Sequence, residues 1–147
     1  MKPFAQELDH ESVAIERSEL PAPILTYISH RHRWRLETAY SYRDGQTTIT
    51  VPEGFVFDLS SVPRLLWWLI APFELSVAAP LIHDFLYENG GAPQGAILPA
   101  RTYSRAETDQ LFRSIMEREG VSGWRQWMGY AGVRIFGGLA WKTPPAP

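Results

Sequence analysis

No cysteine occurs anywhere in the 147 residues, and that one absence removes disulfide staples, thiolate nucleophiles, iron–sulfur clusters and cysteine-based zinc knots. A basic excess is missing too. The 14 Lys and Arg stand against 16 Asp and Glu, a formal charge of −2, so there is no positive field to drive phosphate-backbone binding and nucleic acid is not an expected partner. The opening M-K-P-F-A-Q-E-L-D-H-E has no apolar core behind its lysine, so no signal peptide is expected. The longest apolar stretch, Leu65 to Ile82, is interrupted by Pro72, Glu74 and Pro80. It reads as two buried pieces and not as a span, so an integral membrane protein is not expected. A P-loop, a dinucleotide fingerprint, a G-x-S-x-G elbow and an H-E-x-x-H helix are all absent. Any catalysis has to run on His, carboxylate, Tyr or Ser.

What is present is globular: 45% hydrophobic against 20% charged residues supports a packed core, and the length suits a single domain over residues 1–147. Residues 1–23 read as an irregular arm and 142–147 as a flexible tail. The expected fold class is α+β, a small N-terminal antiparallel sheet followed by about four helices. From Trp34, W-R-L-E-T-A-Y-S-Y-R alternates by two, Asp44-Gly45 supplies a hairpin turn, and Q-T-T-I-T-V continues with β-branched residues. Gly54 to Asp58 adds a short strand or loop. A first helix is expected from Ser60 or Ser61 through Trp68, and a second from near Ser76 to Gly90-Gly91, followed by a loop to Thr102. Ser104-Arg105-Ala106-Glu107 is a capping box that opens a third helix ending at Gly120. A fourth runs from about Gly123 to Trp141; its Gly129, Gly132, Gly137 and Gly138 imply that something packs very close. Of the six tryptophans, Trp124, Trp127 and Trp141 read as core, Trp34 belongs to the hairpin, and Trp67 and Trp68 are the pair available for function.

The chemistry-bearing residues converge on L-I-H-D-F-L-Y. His83 and Tyr87 share a helix face at i and i+4, and Asp84 is turned away by about 100°. Asp109, on the apolar third helix, can meet His83 if the two helices run antiparallel. An imidazole held by a buried carboxylate has a fixed tautomer, and its other nitrogen can take a proton from water near neutral pH. Tyr87 would then orient Asp109 by hydrogen bonding, and Asp84 would be free to ligate a hard cation such as Ca2+. The same residues fit a buried structural network equally well. Asp58, in F-D-L-S-S-V-P-R, suits an Asx turn or helix cap, with Arg64 as its partner or as a contact for an outside anion.

The runs V-P-E-G-F-V-F-D-L-S-S-V-P-R, L-I-H-D-F-L-Y, S-R-A-E-T-D-Q-L-F and M-G-Y-A-G-V-R-I-F-G-G, in that order, resemble a family found mainly in tailed phages and prophages, the domain of unknown function numbered thirteen fifty-three. The likeness covers roughly residues 34 to 141. It implies a phage- or prophage-encoded protein, located in the virion tail or the host bacterial cytoplasm, with tail or virion proteins or host envelope lipid as partners. More remotely, H-D-x-x-Y followed by a T-D-x-x-F helix is similar to the catalytic helices of the phospholipase A-two type, in the cysteine-free form of parvovirus capsid proteins. That similarity implies His83 as the base, Asp109 as the carboxylate orienting it, Tyr87 as a supporting donor and Asp84 as a calcium ligand. The glycine-rich calcium loop of that type has no match here, which leaves Asp58 as the candidate replacement ligand. Three readings follow: a His/Asp hydrolase of lipid esters, with Trp67 and Trp68 beside its substrate; a non-enzymatic tail or virion component with a buried His–Asp network; and a metal-dependent peptidoglycan hydrolase using Asp58, His83, Asp84 and Asp109.

Overall fold

The computed structural model describes residues 20–29, 33–57 and 78–142. Over these the protein is α+β, with two three-stranded antiparallel sheets and three α-helices. The first sheet has the order β1 (Leu25–Ile28), β2 (Arg33–Leu36), β5 (Val56–Phe57), and the second β3 (Tyr40–Asp44), β4 (Thr47–Val51), β6 (Ile97–Leu98). The expected hairpin forms between β3 and β4, with Asp44 opposite Thr47 and Gly45 at φ +61° in the turn. Its alternation holds: Tyr40, Tyr42, Ile49 and Val51 are buried, while Ser41 and Thr50 share a hydrogen bond of 3.0 Å on the outer face.

The alternating run from Trp34 is nevertheless not one strand. The Leu36 amide donates to the Phe55 carbonyl and its own carbonyl accepts from Gly54, and the Glu37 amide turns back to Ile24. With the backbone groups of Leu36 taken, the chain leaves the first sheet, and Tyr40 starts the second. Two further strands carried no sequence signal. β1 follows the proline-rich arm and pairs with β2, and β6 lies in the expected loop after Gly91, opposite Thr48 and Ile49. Short edge strands have too few residues to show a period.

Among the described residues there are three α-helices where about four were expected, because the helix anticipated from Ser60 or Ser61 lies outside them, as do Asp58, Arg64, Trp67 and Trp68. Helix α1 covers Ala78–Glu88, α2 Arg105–Arg118 and α3 Gly123–Phe136. The Ser104 capping box is complete, with the Ser104 hydroxyl accepting from the Glu107 amide and the Glu107 carboxylate accepting from the Ser104 amide. Helix α3 stops five residues short of the expected Trp141 and passes into a 3-10 turn at Gly137–Leu139. A Cβ on Gly137 would come within 2.7 Å of the Tyr87 hydroxyl, and one on Gly129 within 3.1 Å of Met116 Cε, so both glycines are points of close contact.

The tryptophans of α3 overturn their assignment to the core: Trp124 is 54% exposed and Trp127 59%. The buried face of the helix is Gln126, Gly129, Gly132 and Val133, because the small residues permit the close approach to α2 and the indoles point the other way. Trp141 is half-buried, edge-on to Tyr87 at 5.0 Å. One core joins both sheets to the helices, including Leu36 and Phe57, Ile49 and Ile97, Leu86 and Ile115. Among the described residues no helix is long and apolar enough to cross a membrane.

Candidate active site

Helix α1 is lined by Ala79, Leu81, Ile82 and Leu86, all buried, and this orientation turns His83 and Tyr87 toward α2. Their rings lie 4.1 Å apart, and the His83 ring also meets Phe112 of α2 at 4.8 Å. On α2, the buried residues Leu111, Phe112, Ile115 and Met116 place Asp109 on the same inward face, where it has no solvent exposure at all. His83 Nε2 and Asp109 Oδ1 are 2.8 Å apart, and the Tyr87 hydroxyl donates to the same oxygen at 2.6 Å.

Two arginines complete the cluster, and neither was anticipated as part of the site. Arg134 of α3 donates through Nη1 to Asp109 Oδ2 at 2.9 Å, so both carboxylate oxygens are engaged. Arg105 donates through Nε to the Tyr87 hydroxyl at 3.2 Å and through Nη2 to the carbonyls of Val133 and Arg134, at 3.0 and 2.7 Å. It thereby satisfies carbonyls in the last turn of α3 with a positive charge, where the helix dipole favours one. Its Nε is also 4.0 Å from Asp109 Oδ2. Arg105 precedes Asp109 by one helical turn, a spacing visible in the sequence; Arg134 comes from another helix and had no local signal.

The electrostatics follow from these contacts. Burial opposes ionisation of Asp109, but the hydrogen bonds from His83, Tyr87 and Arg134 outweigh it and hold the carboxyl below its ordinary value. Burial also raises the Tyr87 hydroxyl, and donating to Asp109 raises it further. For His83, burial dominates and pushes the imidazole below its usual value, with Asp109 pulling the other way and the Arg105 charge adding to the lowering. At neutral pH the ring is therefore uncharged. Because ionised Asp109 can only accept, Nε2 carries the proton and Nδ1 holds a lone pair. Asp109 is the sole hydrogen-bond partner of the ring among the described residues, and the side chain keeps 11% of its exposure. The arrangement can accept a proton at Nδ1 and stabilise the resulting imidazolium through Asp109.

Asp84 is not drawn into this cluster. It lies close enough to Lys142 to raise the pKa of that amine, whose main partner is Glu88. No group of three His, Asp or Glu side chains placed to hold a metal exists among the described residues. Asp58, the other expected ligand, lies outside the described residues.

Residues 34–133 match the model of the family described as Protein of unknown function (DUF1353), and the chain belongs to that family. No curated protein and no solved structure matches it.

Proposed function

We propose that this member of the DUF1353 family, as a phage- or prophage-encoded protein, is a His/Asp hydrolase that cleaves lipid esters at the host envelope. The observation that carries the reading is the 2.8 Å contact between His83 and an Asp109 that is wholly buried and held ionised. His83 Nδ1 takes a proton from water as the water oxygen attacks the acyl carbon. The carboxylate of Asp109 offsets the imidazolium charge, and the same proton goes to the alcohol oxygen as the ester bond breaks. Tyr87 holds the carboxylate in place, and nothing in this sequence of steps calls on a metal. The likeness of the H-D-x-x-Y and T-D-x-x-F helices to phospholipase A-two supports a lipid ester as the substrate.

The test is fatty-acid release from mixed phospholipid vesicles, with and without calcium, by the parent protein and His83→Gln. A parent rate exceeding that of the variant by about 10² or more is expected, the usual contribution of a positioned general base. Equal release by both would remove His83 from the mechanism, and release seen only with calcium would favour Asp84 and Asp58 as its ligands.

One observation favours a second reading. Both Asp109 oxygens are occupied by donors from α1 and α3, which is also how a purely structural hub would look. On that reading the protein is a non-enzymatic tail or virion component, the parent releases nothing, and His83→Gln still copurifies with its virion partners.

A further inference from the structure

Two cations converge on one anion in the His83 cluster. Arg134 already pairs with Asp109 at 2.9 Å, and that carboxylate needs no second guanidinium to balance it, yet Arg105 brings one, with its Nε 4.0 Å from Asp109 Oδ2. While His83 is neutral, the described side chains of the cluster therefore carry one positive charge in surplus. A proton on the imidazole would make it two, in a setting where Asp109 has no exposure and His83 and Arg105 keep only 11% and 26%.

Geometry fixes where the surplus charge sits. Arg105 donates Nε to the Tyr87 hydroxyl and Nη2 to the Val133 and Arg134 carbonyls, so three acceptors hold the plane of its guanidinium. A guanidinium cannot accept. The Tyr87 oxygen therefore takes the Nε proton and aims its own hydrogen at Asp109 Oδ1, 2.6 Å away, the same oxygen that holds His83 at 2.8 Å. A hydroxyl that accepts from a cation is the stronger donor, so Arg105 tightens the Tyr87 bond and weakens the hold of Oδ1 on the imidazole. Its carbonyl contacts also fix the last turn of α3, from which Arg134 reaches Oδ2. The charged and titratable groups set toward His83 are Asp109 and Arg105 from α2, Arg134 from α3 and Tyr87 from its own helix. Strands β4 and β5, which also pack on α1, carry none, Glu119 meets α1 a turn earlier at Ala79, and Asp84 and Glu88 lie near Lys142. Burial is the larger reason that His83 stays neutral, and the Arg105 charge acts in the same direction while Asp109 opposes both.

We infer that Arg105 is the positioning residue of this site: it locks the Tyr87 hydroxyl onto Asp109 and, as a second fixed cation, keeps the imidazole of His83 unprotonated and ready to serve as base. The inference deepens the His/Asp reading and rests on it for the reaction, but the charge of His83 is measurable without turnover.

The experiment follows the imidazole proton resonances of the full chain by NMR from about pH 4 to about pH 8, in the parent, Arg105→Gln and Arg105→Lys. The His83 signals are identified by their loss in His83→Gln. Both Arg105 substitutions break the three-acceptor fork, and circular dichroism checks that the fold is kept; Arg105→Met is the neutral replacement if the glutamine chain does not fold. The His83 midpoint is expected to rise by roughly 0.5–1 pH unit in Arg105→Gln and to stay with the parent in Arg105→Lys, which keeps the charge. The acid limb of kcat/KM for a water-soluble short-chain ester should move with it. An unmoved or lowered midpoint in the neutral variant overturns the inference. So do equal displacements in the two variants, which would leave Arg105 a packing role alone. Hydrolysis by Arg105→Gln with the parent's pH profile would also overturn it and leave the His/Asp reading standing. A raised midpoint in Arg105→Gln, when the parent hydrolyses nothing, would sink the hydrolase reading and leave the hold of Arg105 on His83 in place.

Discussion

Asp109 is where the chemistry and the stability of this protein meet. A carboxylate without exposure, serving His83, Tyr87 and Arg134, leaves uncompensated charge behind if it is neutralised. Asp109→Asn should therefore cost about 3–5 kcal/mol in chemical denaturation, the usual penalty for removing one partner of a buried pair, whereas Tyr87→Phe should cost only about 1–3. The direction of the His83 shift makes a separate prediction. Its folded pKa lies below the ordinary value near 6.5, so between the two the unfolded chain binds the proton that the native state refuses. The stabilisation is present above about pH 6.5 and is lost as the pH falls toward the folded value. Asp109, also lowered, contributes stability above its ordinary value of 3.8 that is lost on further acidification. Urea midpoints of the parent should begin to fall near pH 6.5, while those of His83→Gln hold until the carboxylate range. Coincident curves would mean that His83 is not buried as described. His83, Tyr87 and Asp109 were legible because helical spacing orders residues along one face. Arg134 was not, because which residue of α3 reaches Asp109 depends on how two helices pack.

At the level of elements, close approach decides between glycines that look alike in sequence. Gly137 faces the Tyr87 hydroxyl, pinned by Asp109 on one side and Arg105 on the other, so an added methyl has nowhere to go. Gly129 faces the mobile end of Met116, and alanine there gains about 1 kcal/mol of helix propensity. Thermal melts should show Gly137→Ala destabilised by about 1–3 kcal/mol and Gly129→Ala within about 1 kcal/mol of the parent. Gly137→Ala should also reduce any hydrolysis through its push on Tyr87. Equal melting temperatures for the two variants would contradict the packing of the terminal turn against α1. The boundary and box at Ser104 were readable because capping is local. The end of α3 and the strands β1 and β6 were not, because each is made by a contact from a distant segment.

Across the whole molecule, a single core links both sheets to α1 and α2. We therefore expect one cooperative transition, with near- and far-ultraviolet circular dichroism superimposing on a common unfolding curve. Ile49→Ala, in the central strand of the second sheet and fully buried, should lower both signals together by about 2–5 kcal/mol. If the sheet signal moved and the helical signal did not, the protein would contain two folding units. The alternating run from Trp34 shows why this scale was the hardest to foresee: periodicity marks which residues face inward, not which sheet a strand joins.

The sequence by itself determined the class of chemistry available, since no cysteine, no basic excess and no phosphate-binding loop leave His, carboxylate, Tyr or Ser to do any work. It also determined the α+β order, the hairpin at Asp44-Gly45 and the cap at Ser104, all set by interactions within a few residues. Only the tertiary structure decided that two arginines share Asp109, that burial rather than the carboxylate governs the charge of His83, and that the indoles of α3 face outward. These depend on the free energy of burying one helix face against another. A helix apolar on both sides does not declare which side that will be until glycine lets its neighbour come close.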